Sequence, residues 1–183
     1  RLWALLARCT VRQNDGEKAM EYLTHSKELV DELRNDDARA ARLLEALVQE
    51  IRAEIATAEG DADAARFNLR QASDAFRDLG IMGSATRALL MLGQVELDIE
   101  EYTRAADTFK ACVTLSLAQG LVREAGLAQV GCGAAMLRIG QAEEGTQLLR
   151  SVLRGRRVAQ FEATNALGYA MLQRGLKADA ARY

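Results

Sequence analysis

Residues 92–112, LGQVELDIEEYTRAADTFKAC, hold the pattern that predicts the fold. A small residue, Gly93, is followed twelve positions later by a second small residue, Ala105, and four positions after that by the large apolar Phe109. Small residues on two successive helices let their backbones approach closely, and a large residue one turn later fills the space beside them. The stretch therefore predicts a helical hairpin.

The same spacing recurs along the whole chain. We call the first small residue of each copy its anchor, and the five anchors are Ala7, Ala53, Gly93, Gly133 and Gly168. Twelve positions after the anchors stand Ala19, Ala65, Ala105, Gly145 and Ala180. Sixteen positions after the first four anchors stand Leu23, Leu69, Phe109 and Leu149, and three positions further come Ser26, Ala72, Cys112 and Val152. A hairpin repeated in this way predicts an array of about five stacked hairpins.

Glycines mark several ends of the predicted helices. Gly60, Gly140 and Gly175 follow three of the anchors by seven positions, and glycine readily adopts the left-handed conformation that ends a helix. We predict helices at about 1–13, 16–34, 38–58, 62–79, 84–99, 102–119, 122–139, 142–154, 157–174 and from 178 onward. No Pro- or Ser-rich linker interrupts them, so we predict one array over 1–183, with approximate repeats 1–37, 38–80, 81–121, 122–156 and 157–183. Because Arg1 stands in place of Met, we expect a fragment of a longer chain.

Composition favours an all-α protein and argues against several other classes. Apolar residues make up 49% of the chain and aromatic residues 5%, Pro is absent, and good helix formers such as Ala and Leu dominate. A formal net charge of -2 does not favour nucleic acid or an anionic membrane, and no apolar run is long enough to span a bilayer. The three cysteines are odd in number and lack metal or redox spacing, so we expect a reducing, cytoplasmic location.

Several of these residues resemble the signature of the tetratricopeptide repeat (TPR) superfamily. The resemblance is carried by Trp3-x-x-Leu6-Ala7, by Leu92-Gly93 with Tyr102, Ala105 and Phe109, and by Leu167-Gly168 with Gly175 and Ala180. Longer-than-usual anchor spacings are similar to those of the LGN and kinesin light chain group. The resemblance implies a right-handed solenoid whose concave face, lined by the first helix of each hairpin, receives an extended peptide or a helix. It also implies that Trp3 is a packing aromatic of the core.

Placing the groove-facing register of such repeats on this chain selects polar residues on the first helices. These candidate partner-binding residues are Arg1, Arg8, Arg12, Glu50, Glu54, Arg87, Gln94, Asp98, Arg138, Asn165, Tyr169 and Gln173. Their basic and acidic patches would orient a charged peptide, since charge complementarity contributes mainly to specificity and encounter rate. The alternative interpretation is an ordinary solvated helix face.

Patterns typical of catalysis or metal binding are weak. His25, the only histidine, has no Cys, Asp or Glu array around it at ligand spacing. Glu50 and Glu54 lie one turn apart, but such a carboxylate pair on a charged helix is nearly always solvated. Gly131-Cys132-Gly133 lacks the third glycine and the preceding strand of a dinucleotide-binding loop. We therefore predict a protein that is not an enzyme, with no catalytic residue, metal site or cofactor.

The leading functional hypothesis is a TPR adaptor or scaffold that binds a peptide or helix of another protein. Two alternatives remain open: a structural subunit of a large multi-protein complex, and the TPR sensor region of a multidomain regulator. Leu2, Leu5 and Leu6 give the first helix apolar faces that further chain or a partner would have to cover. We expect no nucleic-acid partner and no membrane span.

Overall fold

The computed structural model describes residues 2–13, 15–154, 163–164 and 166–168. All regular secondary structure within these ranges is helical, as the composition predicts, and none of it is strand. Eight helices are defined: α1 Leu2–Arg12, α2 Gly16–Asp36, α3 Ala38–Glu59, α4 Ala62–Asp78, α5 Met82–Asp98, α6 Tyr102–Ala118, α7 Val122–Arg138 and α8 Ala142–Arg154. Their bounds agree with the predicted ones to within two residues. Residues 163, 164 and 166–168 are also helical, and the rest of the last two predicted helices lies outside the described residues.

Aspartates begin three of the helices. The side chains of Asp15, Asp37 and Asp61 precede α2, α3 and α4, and each accepts a hydrogen bond from the backbone N–H three residues later. This bond satisfies one of the backbone donors that the first turn of a helix leaves unpaired. The short polar segments between the predicted helices therefore fix where these three helices begin.

A left-handed residue follows the end of several helices, and in one case this residue is not glycine. Gly60 and Gly140 adopt φ of 80° and 86°, as the sequence predicts. Glu100, which stands seven positions after its anchor as those two glycines do, adopts φ of 64°. The next backbone N–H, of Glu101, donates to the carbonyl of Glu96 at 2.9 Å and closes the turn. The turn geometry is therefore kept at the cost of a strained glutamate.

The described helices cluster into two compact units, Arg1–Ala88 and Leu89–Tyr183, with α5 contributing to both. In the first unit α1 packs on α2, α3 packs on α4, and both α1 and α2 pack on α3. Its core contains Leu23, Leu44 and Ile51. Each hairpin of this unit is thus also in contact with the hairpin next to it along the chain.

The second unit repeats the arrangement, with α6 packed on α7 and α7 on α8. One core cluster surrounds Phe109 and Cys132, and another joins Leu149 and Val152 to Leu167. Consecutive packing of helices within each unit is what the repeat pattern predicts. A single superhelix over the whole chain stays a prediction.

Small residues allow the close helix contacts that the sequence pattern indicates. A Cβ built on Gly93 would lie 2.7 Å from the ring of Phe109, and one built on Gly131 would also collide with that ring. A Cβ on Gly145 would lie 2.8 Å from the carbonyl oxygen of Gly133 on the preceding helix. In the first four copies the anchor and the three positions spaced after it are all buried. The predicted roles of the small and large repeat positions are therefore confirmed there.

Cys112 and Cys132 are buried, as expected of small apolar residues at repeat positions. Burial raises the pKa of the Cys112 thiol to about 11, and burial also raises the pKa of Cys132. Both thiols therefore stay protonated and unreactive near neutral pH. The glycines on either side of Cys132 belong to helix packing and not to a nucleotide-binding loop.

The prediction of a core position for Trp3 is wrong. Its side chain is exposed, and its ring lies against the rings of Tyr22 and His25 on α2, with centroids 5.6 Å and 5.1 Å away. His25 itself is half-buried, and its Nδ1 lies 3.2 Å from a carboxylate oxygen of Glu28. Trp3 therefore covers the outer surface of the first hairpin instead of filling the space between hairpins.

Candidate functional site

Four of the predicted partner-binding residues meet in one cluster. Arg8 on α1, Glu50 and Glu54 on α3, and Arg87 on α5 come from the first helices of three successive hairpins. We call this set the arginine–glutamate cluster. All four residues lie in the first unit, in which α3 packs against α1. The repeat register therefore brings together charges that are far apart in sequence.

Glu50 is the centre of the arginine–glutamate cluster and is 0% exposed. Its Oε1 accepts a bond from Nε of Arg87 at 2.6 Å, and its Oε2 accepts from Nη2 of the same guanidinium at 2.8 Å. Oε2 also accepts from Nη2 of Arg8 at 2.5 Å. Nε of Arg8 lies 3.1 Å from a carboxylate oxygen of Glu54, which is 21% exposed. Glu50 is therefore held by a two-point contact from one arginine and a third bond from another.

These bonds explain why a carboxylate can be buried among helices. An unpaired buried charge costs several kcal/mol, and that cost falls only when close opposite charges and hydrogen bonds replace water. The hydrogen bond to Glu50 raises the pKa of Arg87, with the charges of Glu50 and Glu54 acting in the same direction. The arginine–glutamate cluster consequently ties three helices together through charge as well as through apolar packing.

Because Glu50 is fully buried, the prediction that its side chain is available to a partner on the groove face is wrong, and so is the interpretation of Glu50 and Glu54 as a solvated pair. Glu50 lies three residues before its anchor, where the other described copies have Ala4, Leu90 and Val130. The apolar residues at this repeat position are a signal that the position is buried. Comparing the copies position by position would have identified Glu50 as a buried charge in need of partners.

An apolar notch, which the sequence reasoning missed, lies beside the arginine–glutamate cluster. Ala4, Leu5 and Arg8 of α1 and Leu47 and Ile51 of α3 line a cavity of about 90 Å³. We call this cavity the α1–α3 notch. Arg8 contributes to both features, so apolar space and paired charge adjoin each other on the first helices.

The side chain of Arg87 is 49% exposed, unlike that of Glu50. Its two bonds to Glu50 use Nε and Nη2 and do not involve Nη1. A planar guanidinium can donate further bonds to a carboxylate or a carbonyl group. Arg87 is thus both a structural partner of Glu50 and an accessible donor.

Three of the predicted residues that the structure describes lie in the second unit, and these three do not form a comparable cluster. Gln94 and Asp98 are exposed on α5, and the Gln94 side-chain amide donates to the Asp98 carboxylate at 2.7 Å. Arg138 is exposed on α7, and its guanidinium carbon lies 5.3 Å from the ring centroid of Tyr102, within the range of a cation–π contact. All three side chains remain accessible to a partner.

The remaining predicted residues cannot be placed. Arg1, Asn165, Tyr169, Gln173 and the side chain of Arg12 lie outside the described residues.

Two other kinds of site, a metal centre and a membrane span, are considered for the described part of the chain alone. Within it, no group of three or more His, Cys, Asp or Glu residues is arranged to hold a metal ion. No helix there has the length and apolar character needed to cross a bilayer.

No family model matches the chain, and no curated protein matches it either.

Proposed function

We propose that the chain is a non-catalytic protein-interaction module of the TPR kind, an adaptor or scaffold that holds a peptide or helix of a partner protein. The observation that carries the proposal is the joining of the first helices α1, α3 and α5 through their predicted polar positions. First helices presented side by side are what the TPR resemblance implies for a binding surface. We further propose that the hairpins continue as one right-handed solenoid, supported by the consecutive packing within each unit.

The chemistry of this surface in the first unit favours a partner segment that carries both an apolar and an acidic residue. The α1–α3 notch offers apolar walls from Leu5, Leu47 and Ile51 to an apolar side chain. Arg87 offers donors to a carboxylate or to a backbone carbonyl next to that side chain. An apolar anchor beside a few oriented polar groups is the usual composition of a peptide-binding site. A short segment with one apolar and one acidic residue therefore suits the surface.

The arginine–glutamate cluster decides which substitutions can test the proposal. Reversing the charge of Arg87 would leave the buried Glu50 facing a like charge, so the protein would lose stability along with any binding. Arg138 is the better position for a charge reversal, because it is exposed on a first helix and contacts between exposed charges contribute little to stability. Lys110, exposed on the second helix α6, provides a matched control for a change of charge.

The test begins with affinity purification and mass spectrometry to identify a partner, followed by titration of that partner against two variants. Arg138→Glu should weaken binding by up to about tenfold, because a charged group at the edge of an interface acts mainly on encounter and specificity. Lys110→Glu should bind as the unchanged protein does. Equal binding by both variants, or a loss with Lys110→Glu alone, would count against binding through the first helices. Circular dichroism of both variants checks that each remains folded.

The alternative of a structural subunit in a large complex is favoured by a different observation. Several large apolar side chains are exposed on the described helices, among them Leu5, Phe67 and Leu117. Where such side chains join into one contiguous patch, they mark a surface on which another protein packs. The sensor region of a multidomain regulator stays a third hypothesis. A reducing, cytoplasmic location is also proposed, supported by the absence of disulfides among Cys9, Cys112 and Cys132.

A further inference from the structure

Helix α3 is longer at its beginning than the first helices of the next two hairpins. It begins at Ala38, fifteen residues before its anchor Ala53, whereas α5 and α7 begin eleven residues before theirs. The difference is about one helical turn. Asp37 begins this extra turn, because its side chain accepts a hydrogen bond from the backbone N–H of Ala40 at 2.9 Å. Packing of the hairpins does not by itself require the extra turn, since α5 and α7 form hairpins without it.

A cavity of about 190 Å³ lies beside the extra turn of α3. The start of α3 lines one side of it, and the segment between α4 and α5 lines the other. The lining residues are Asp37, Arg39, Ala40, Leu43, Leu79 and Ile81. We call this cavity the α3 pocket. It lies within the first unit, and it shares no residue with the α1–α3 notch or with the predicted partner-binding residues.

Hydrogen bonds fix both sides of the α3 pocket. Nη2 of Arg39 donates to the carbonyl oxygen of Leu79 at 2.9 Å and joins the extra turn to the end of α4. The backbone N–H of Ile81 donates to the carbonyl oxygen of Phe76 at 2.8 Å and closes the turn after α4. A pocket whose walls are already fixed loses less free energy to ordering when a ligand binds.

The walls of the α3 pocket are apolar. Leu79 is buried, while Leu43 and Ile81 are half-buried. An apolar cavity of about 150 Å³ is large enough to hold a benzene ring. The α3 pocket, at about 190 Å³, is therefore large enough for a branched or aromatic apolar side chain.

The two charged side chains that line the α3 pocket do not neutralise each other. Within the described residues no ion pair joins Asp37 to Arg39, and both residues are exposed. The bond to Leu79 uses Nη2 of Arg39, and the capping bond uses Oδ1 of Asp37. The other guanidinium nitrogens can donate to a carboxylate, and Oδ2 of Asp37 can accept from an ammonium group. The pocket thus presents one positive and one negative group beside apolar walls.

We propose that the α3 pocket binds a free α-amino acid with an apolar side chain of about the size of leucine. The α-carboxylate contacts Arg39, the α-ammonium group contacts Asp37, and the apolar side chain packs against Leu43, Leu79 and Ile81. Each charge of the amino acid meets an opposite charge while its side chain leaves water. The site uses none of the residues on which the proposed function rests, so either proposal can fail without the other.

Titration of the isotope-labelled full chain with L-leucine tests the proposal. Saturable amide shifts should appear at Arg39, Ala40 and Ile81, with a dissociation constant of about 1 mM, as suits a ligand of few atoms. Isocaproate lacks the ammonium group of leucine, and isoamylamine lacks its carboxylate. Each should bind at least about threefold more weakly than leucine, because each loses one charge contact that water partly screens.

Three variants assign the two charge contacts. Arg39→Gln and Asp37→Asn should each weaken leucine binding by at least about threefold, and asparagine keeps the helix cap. Arg39→Gln should not weaken the binding of isoamylamine, which has no carboxylate to lose a partner. Arg42→Gln is the matched control, because Arg42 lies on the same helix but pairs with Asp78 and does not line the pocket. Circular dichroism checks that each variant remains folded.

Four results would overturn the proposal. One is the absence of saturable shifts up to about 20 mM leucine. A second is isocaproate that binds as tightly as leucine, which would make a simple carboxylate the ligand. A third is an equal loss of leucine binding in Arg42→Gln and Arg39→Gln. The fourth is a shift of Ala40 and Ile81 by a captured partner protein but not by leucine, which would make a side chain of that partner the occupant.

Discussion

Replacing Glu50 by Gln tests whether the arginine–glutamate cluster stabilises the first unit. The substitution keeps the size of the side chain but removes the negative charge that accepts three hydrogen bonds from Arg8 and Arg87. The amide can accept with its oxygen, but its NH2 group would face guanidinium donors. Glu50→Gln therefore leaves two positive charges with a poor partner.

The expected loss follows from the burial of each group. Removing one partner of a fully buried ion pair costs about 3–5 kcal/mol. Glu50 is fully buried, but the exposed part of Arg87 regains water when the bond is lost, which reduces the cost. We expect Glu50→Gln to lower the free energy of unfolding of the first unit by about 2–3 kcal/mol. The matched variant Glu54→Gln should cost under about 1 kcal/mol, because Glu54 is partly exposed.

Urea unfolding followed by tryptophan fluorescence is a suitable assay. Trp3 is the only tryptophan and lies on α1, so its signal reports on the unit that contains Glu50. The midpoint should shift to lower urea with an unchanged slope, since the surface exposed on unfolding stays the same. Equal midpoints for Glu50→Gln and Glu54→Gln would refute the reasoning, as would a more stable Glu50→Gln variant.

Three further predictions concern packing, a turn and a buried thiol. Gly145→Ala should destabilise the protein by about 2 kcal/mol, because the added Cβ would overlap the backbone of Gly133. Gly83→Ala has open space around its Cβ, so it should be neutral or stabilise the protein by up to about 1 kcal/mol. Thermal unfolding compares the two variants. Glu100→Gly should stabilise by about 1 kcal/mol in urea unfolding, because it relieves a left-handed glutamate, and a destabilised variant would contradict this explanation. Burial raises the pKa of Cys112 from 9.0 to about 11, so the contribution of this thiol to stability is full below pH 9 and is lost as the pH rises towards 11. Urea midpoints measured across this pH range should therefore fall more steeply for the unchanged protein than for Cys112→Ala. Parallel curves of midpoint against pH would argue against the raised pKa.

The helices and the repeat positions were predictable because both depend on local spacing. Gly93 and Phe109 are sixteen positions apart, and the structure brings them into contact because a hairpin of two short helices fixes which residues face each other. The helix ends were predictable for the same reason, since capping aspartates and left-handed glycines act within a few residues. Glu100 departs from this rule in residue type but keeps the geometry.

The sequence allowed the residues of the arginine–glutamate cluster to be selected, but it did not allow their contacts with one another to be predicted. Glu50 lies 42 residues from Arg8 and 37 from Arg87, so its partners depend on how hairpins pack on one another. The same dependence explains the failure for Trp3, whose position was inferred from resemblance and whose surroundings are set by α2. The α1–α3 notch was missed because its apolar residues resemble ordinary core positions in the sequence.

Chemical-shift mapping of the captured partner on the isotope-labelled chain tests the central claim of binding through first helices most directly. The claim predicts that the largest amide shifts fall on α1, α3, α5 and α7, with Arg87 or Arg138 among or beside the shifted residues. Shifts concentrated on α2, α4, α6 and α8 would contradict it.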